Sequence, residues 1–180
     1  MLKKGERGDG MDKLAVLRQY FGFPAFRAGQ QTLIDAVLSG RDALGVMPTG
    51  GGKSLCYELP ALLLPGMTLV VSPLISLMKD QVMALRNAGI PAGCINSSMS
   101  LDELRETYRD ARYGAYKLLY VAPERLLTDG FCSLAQELEI PLVAVDEAHC
   151  ISQWGQDFRP SYLKIVEFLQ RLPRRPAVAA

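Results

Sequence analysis

The sequence is poor in metal-binding and disulfide chemistry: one histidine and four cysteines in 180 residues. Cys56, Cys94, Cys132 and Cys150 stand far apart with no C-x-x-C pair, so no zinc site is expected. They read instead as small buried hydrophobes in a reducing compartment. No apolar run approaches the ~20 residues that a membrane span needs. The first ten residues are charged and glycine-rich where a secretory leader would carry an apolar core. The expectation is a cytoplasmic protein with no membrane partner. Excess charge is missing too: 20 Lys and Arg against 19 Asp and Glu leave +1. No overall basic field advertises nucleic acid, although net charge leaves a local basic patch open. Internal repeats and low-complexity tracts are absent. What is present, 49% hydrophobic residues over this length, suffices for one globular domain with a real core.

The most informative stretch is Thr49-Gly50-Gly51-Gly52-Lys53-Ser54. A phosphate-binding loop surrounds a triphosphate with backbone N–H groups, which needs conformations and close approach that glycine permits. Lys53 would neutralise the β- and γ-phosphates, and the Ser54 hydroxyl would meet Mg²⁺. The general pattern G-x-x-x-x-G-K-[ST] fails at its first position, which is Met47. The setting compensates. Asp42–Met47 reads as a buried strand and Ser54–Leu59 as the start of a helix, so a helix N-terminus is aimed at the anion. The plain alternative is a glycine-rich turn between strand and helix.

A second stretch, Asp146-Glu147-Ala148-His149, answers the first. It follows Leu142-Val143-Ala144-Val145, a continuous apolar run after Pro141 that suits a central parallel strand. Ligands bind at the carboxyl ends of such strands. Asp146 is placed to hold Mg²⁺, through water, and Glu147 to act as base or orienter of an attacking water. Two solvated acids at a strand end are the alternative.

Along the chain, residues 1–11 read as a flexible leader. Asp12 is a cap for a first helix with Leu14, Leu17 and Phe21 on one face, stopped at Gly22-Phe23-Pro24. A second helix spans 28–38, ended by Gly40. Strands are expected at 67–72, 92–96, 117–122 and 141–145. Helices are expected at 74–86, from Ser100 (a capping box with Glu103), at 126–138 with a break near Gly130, and at 162–171. Pro123 starts a further helical turn. Pro176-Ala177-Val178-Ala179-Ala180 reads as a strand, either complete or cut by the end of a fragment. Alternating β and α units imply a parallel sheet covered by helices on both faces, an α/β fold.

Several segments, taken together, carry a resemblance: Phe21-Gly22-Phe23 with Phe26–Gln30; Met47–Ser54; Val71–Gln81; Tyr120–Leu126; Asp146–His149; and Cys150–Gly155 with Asp157–Pro160. In order and spacing they resemble the first motor lobe of RecQ DNA helicases, from Leu14 onward. The nucleotide motifs are shared widely. The Phe26–Gln30 element and the loop through Trp154 to Pro160 are the specific ones. Helicases of this superfamily relax the first glycine, which accounts for Met47.

The resemblance implies a three-layer RecA-like P-loop NTPase lobe over 12–180, with a short helical element before it, truncated before a second lobe. It implies ATP and Mg²⁺ as cofactors, with Lys53, Asp146 and Glu147 catalytic. Thr49, Gly50, Gly51, Gly52, Lys53 and Ser54 hold the phosphates, and Ser54 and Asp146 the metal. Gln30 reads the adenine edge, flanked by Phe23 and Arg27. Single-stranded and junction DNA is the implied partner, coupled to hydrolysis through His149, Gln153, Trp154, Phe158 and Arg159 and gripped by Ser72, Ser76 and Arg125. Read alone, Gln30 and Phe23 are a solvated helix-start residue and a core aromatic. Trp154 and Phe158 divide evenly between core and DNA, and Lys79, Asp80 and Arg125 are an ordinary charged face. The implied activity is ATP-dependent 3′-to-5′ DNA unwinding in repair and recombination. A second lobe of the same parent chain would supply an arginine finger, so this segment alone is expected to show little ATPase activity and no unwinding. An RNA helicase, a double-strand translocase or a non-hydrolysing nucleotide-binding module are the competing readings.

Overall fold

The computed structural model describes residues 12–48, 50–151 and 159–180. Its centre is a parallel sheet of β1 (Thr68–Val71), β2 (Ala92–Ile95), β3 (Leu118–Val121), β4 (Leu142–Val145) and β5 (Ala177–Ala179), in the order β2-β3-β1-β4-β5. Every residue of β1, β3 and β4 is buried, because helices cover both faces.

Side chains alternate across the strands and so divide the core in two. Leu69, Val71, Val143 and Val145 face one cluster with Phe131, Leu134, Ile165 and Phe168. These come from α6 (Asp129–Glu137) and α7 (Lys164–Arg171), with α5 (Leu101–Arg112) alongside. Val70, Tyr120, Leu142 and Ala144 face the other, with Tyr57 and Ala61 of α3 (Leu55–Leu63) and Met78, Val82 and Leu85 of α4 (Ile75–Asn87). A third cluster packs α1 (Lys13–Phe21) and α2 (Gln30–Leu38) on α3 through Val16, Leu17, Ile34, Leu55 and Leu59. The three-layer architecture with its helical N-terminal element is therefore present.

Some local expectations need correction. Asp42–Met47 is not a buried strand. It lies outside β5 at the sheet edge, held by Ala43 N–H to Val178 O (2.8 Å) and Gly45 N–H to Ala180 O (2.7 Å). Leu44 and Val46 are 73% and 95% exposed, since an edge has no next strand or covering helix. Asp12 occupies the position before α1 but makes no side-chain cap, and Leu14 is exposed while Val16 and Leu17 are buried. Gly130 does not break a helix. It sits in the first turn of α6, where glycine costs little, and Tyr108 of α5 packs over it. Residues 160–163 form a 3-10 turn before α7 rather than its first turn. The leader at 1–11 lies outside the described residues.

The chain reverses its direction of travel between adjacent strands β1 and β4: β2 lies on the β1 side and β5 on the β4 side. Ligands of open parallel sheets sit at such a switch point, outside the carboxyl ends.

The capping box of α5 is complete, with Ser100 Oγ accepting from Glu103 N–H at 3.2 Å and Ser100 N–H donating to Glu103 at 2.7 Å. Ser100→Ala is expected to lower unfolding stability by about 1 kcal/mol in urea titration, and no change would contradict the cap.

Candidate nucleotide site

The phosphate loop leaves the edge segment and enters α3 at Ser54. Gly50 and Gly52 have φ of 76° and 80°, a region that only glycine enters without strain. A Cβ on Gly51 would stand 2.8 Å from the Pro48 carbonyl oxygen. These glycines are required by the loop's shape, as the sequence pattern implies.

Across the switch point, Asp146 follows β4. Its N–H donates to Val71 O (2.9 Å), and its carboxylate accepts from Glu147 N–H (3.0 Å) and Ser72 hydroxyl (3.4 Å). Tyr162 hydroxyl donates to the Asp146 carbonyl at 2.8 Å. Burial, then the charge of Glu147, pushes the Asp146 carboxyl above its ordinary value. Glu147 has φ of 50°, a left-handed conformation that costs a non-glycine residue about 1–2 kcal/mol. That backbone turn is the one in which its N–H meets the Asp146 carboxylate. Its carboxylate lies 3.7 Å from Lys53 Nζ on one side and 3.2 Å from His149 Nδ1 on the other. Lysine loop and acid pair thus meet on one rim.

Between them opens a cleft of about 400 Å³ lined by Phe23, Arg27, Gln30, the loop, Glu58, Asp146 and Glu147 among others. The donor set at its floor, carboxylate oxygens and a serine hydroxyl, suits a hard cation. Among the described residues no cluster of three or more His, Cys, Asp or Glu side chains forms a metal cage. A magnesium ion completed by phosphate oxygens and water needs none.

Gln30 is 2% exposed rather than solvated. Its Oε1 accepts from Arg27 N–H (2.8 Å), and its Nε2 donates to Gly52 O (3.1 Å). Arg27 donates to Gly50 O at 2.5 Å. Nε2 also lies 3.5 Å from Gly51 O, so the amine end is spent on the loop and the further valence is an acceptor one at Oε1. Phe23 is 47% exposed at the cleft, so it is not a core aromatic.

The residues expected to grip DNA are divided. Ser72 is fully buried with its hydroxyl toward Asp146, so it stands beside the acid pair and not on a surface. Ser76 and His149 are exposed, Arg125 is half-buried, and exposed Arg159 donates to Pro73 O at 3.3 Å. Thr49, Gln153, Trp154 and Phe158 lie outside the described residues.

Sequence reasoning passed over Glu58 and Tyr120. Glu58 is 8% exposed and accepts from Tyr120 hydroxyl at 3.4 Å. Burial pushes its carboxyl up to about 7, against the opposing hydrogen bond from Tyr120. The i, i+4 spacing from Ser54 was a legible signal; the cross-sheet partner was not.

The family description "DEAD/DEAH box helicase" matches residues 27–180. The chain belongs to the DEAD/DEAH box helicase family. Over 92% of its length it is 52% identical to ATP-dependent DNA helicase RecQ of Bacillus subtilis and 49% identical to that of Haemophilus influenzae. It spans 28% and 27% of those relatives' lengths. The resemblance to the first motor lobe of RecQ helicases is therefore borne out. Among solved structures, the DUF1998 helicase MrfA aligns with 96% of the chain and 29% of its own at TM-score 0.74 and 18% identity. A hypothetical ATP-dependent RNA helicase from Sulfolobus tokodaii aligns with 93% of the chain and 49% of its own at TM-score 0.71 and 22% identity. These establish the RecA-like fold of this helicase lobe.

Because the folded Glu58 carboxyl titrates above its ordinary 4.5, its contribution to stability is full below about pH 4.5 and lost as pH rises towards 7. In urea unfolding, Glu58→Gln is expected to gain on the parent by up to about 3 kcal/mol between pH 5 and 8. A pH-independent difference would contradict this environment.

Proposed function

We propose that this lobe binds Mg-ATP and works within a DNA helicase that couples ATP hydrolysis to 3′-to-5′ unwinding in repair and recombination. The observation that carries the reading is the 3.7 Å approach of Lys53 to Glu147 in the cleft beneath the glycine loop. Lys53 and the N–H groups of residues 49–54 hold the phosphates. Ser54 and Asp146 hold magnesium, which would neutralise charge developing on the transferred phosphoryl group. Glu147 orients and deprotonates the attacking water, its carboxylate fixed by the backbone turn after Asp146. Gln30, Phe23 and Arg27 take the adenine; the bonds from Gln30 and Arg27 to the loop let base recognition set the loop's shape.

Single-stranded and junction DNA is assigned to the surface of Ser76, Arg125, His149, Gln153, Trp154, Phe158 and Arg159. Ser72 is reassigned to supporting Asp146. Arg159 reaches the Pro73 carbonyl, next to the Ser76 segment, and so joins two of these elements. A second lobe in the same parent chain would close the nucleotide site with an arginine, a group worth about 10³–10⁵ in turnover in related systems. The isolated lobe is accordingly expected to hydrolyse little ATP and to unwind nothing. Among the described residues no helix is long and apolar enough to cross a membrane.

Titration of the full-length protein with Mg-ATP tests the site: Lys53→Ala should remove binding, and unchanged affinity would overturn the phosphate-loop assignment. Glu147→Gln should retain binding and lower turnover by about 10²–10⁴. Comparison of DNA- and RNA-stimulated ATPase separates the DNA helicase from an RNA motor. Trp154→Ala should leave basal hydrolysis and abolish its stimulation by DNA; full stimulation would remove Trp154 from the coupling loop.

A further inference from the structure

The hydrolytic reading leaves one buried carboxyl of the cleft unused. Glu58 lies one helical turn after Ser54, so the two side chains share a face of α3. It is 8% exposed and lines the nucleotide cleft. Its side chain accepts from the Tyr120 hydroxyl, at 3.4 Å to Oε1, and the Ser54 hydroxyl one turn back lines the same cleft. Tyr120 is fully buried on β3, in the middle of the sheet. A carboxyl in such surroundings is costly beside an apolar residue of similar size unless its hydrogen bonds are made, so mere space-filling is a poor account of it.

The hydroxyl of serine has one hydrogen and two lone pairs. A metal ligand must offer a lone pair and keep its hydrogen away from the cation. An acceptor behind the hydroxyl, on the protein side, fixes that choice; without one the hydroxyl rotates freely. We propose that Glu58 is a positioning residue for the magnesium site, accepting the Ser54 hydroxyl hydrogen so that the oxygen faces the cation, while Tyr120 ties the carboxyl to the sheet. The inference rests on the nucleotide-binding reading above. It also gives β3 a route to the metal: the strand that holds Tyr120 runs directly into the Pro123–Arg125 turn, part of the surface assigned to DNA.

The test is calorimetric titration of the full-length protein with the non-hydrolysable analogue AMP-PNP, in excess magnesium and in EDTA. Glu58→Leu is expected to lose about 10–100-fold of the affinity that magnesium adds, the usual range for a residue supporting a metal ligand, with affinity in EDTA nearly unchanged. Glu58→Gln keeps an acceptor oxygen and should recover most of it. Combining Glu58→Leu with Ser54→Ala should cost no more than Ser54→Ala alone, because both act through one oxygen. An equal loss with and without magnesium, or additive losses in the double variant, would make Glu58 a packing residue and overturn the proposal. Should Glu58→Leu fail to fold, Tyr120→Phe removes one hydroxyl from the same network; it should show a smaller, metal-specific loss, and no loss would count against the proposal. A parent protein whose AMP-PNP affinity is indifferent to magnesium would instead defeat the nucleotide-site reading itself.

Discussion

The structure depends on bringing a lysine at the start of α3 against an acid at the end of β4. As a surface ion pair, Lys53–Glu147 would add at most about 1 kcal/mol, so stability does not explain it. The pair marks where the fold converges. The phosphate loop arrives from the sheet edge, the acids arrive from a central strand, and the reversal of strand order between β1 and β4 leaves the rim open between them. A triphosphate seated there would replace the weak contact by a stronger one to Lys53 and release the Glu147 carboxylate to a water. Glu147, held in a left-handed conformation, is the local cost of directing its N–H to Asp146 and its carboxylate to the cleft.

Around that contact the polar groups form linked sets. Gln30 and Arg27 hold the loop from the start of α2. Ser72 of the β1 end and Tyr162 of the turn before α7 hold Asp146 from the opposite side. Glu58 and Tyr120 lie beneath Ser54. Each set joins the cleft to a different part of the lobe, and two of them reach segments assigned to DNA. A change at the surface proposed for DNA would therefore have short routes to the groups proposed to hold metal and water.

Much of this was legible in the sequence because its signals are local. Apolar runs bounded by proline or glycine marked β1, β3 and β4, and Ser100 with Glu103 announced the start of α5. The glycine loop and the acids after Val145 declared themselves by residue type and order. An apolar run does not say whether its strand is central or at an edge, which is why Asp42–Met47 was read as buried. Nor does a glycine say whether it falls in the first turn of a helix or its middle, which decided Gly130. The bonds Ser72–Asp146 and Tyr120–Glu58 join residues 74 and 62 positions apart. They follow from which strands are neighbours, a matter of packing that residue spacing does not encode. For the same reason the sequence pattern put Ser72 on a DNA-facing surface, whereas it is buried with its hydroxyl toward Asp146.

The central claim is that Lys53 and the two acids serve one nucleotide. A crystal structure of the protein with Mg-AMP-PNP tests it most directly. The account predicts the terminal phosphate within hydrogen-bonding distance of Lys53 Nζ, magnesium between Ser54 and Asp146, and the Lys53–Glu147 contact opened. Nucleotide bound elsewhere, or bound with that contact intact and no metal near Asp146, would contradict it.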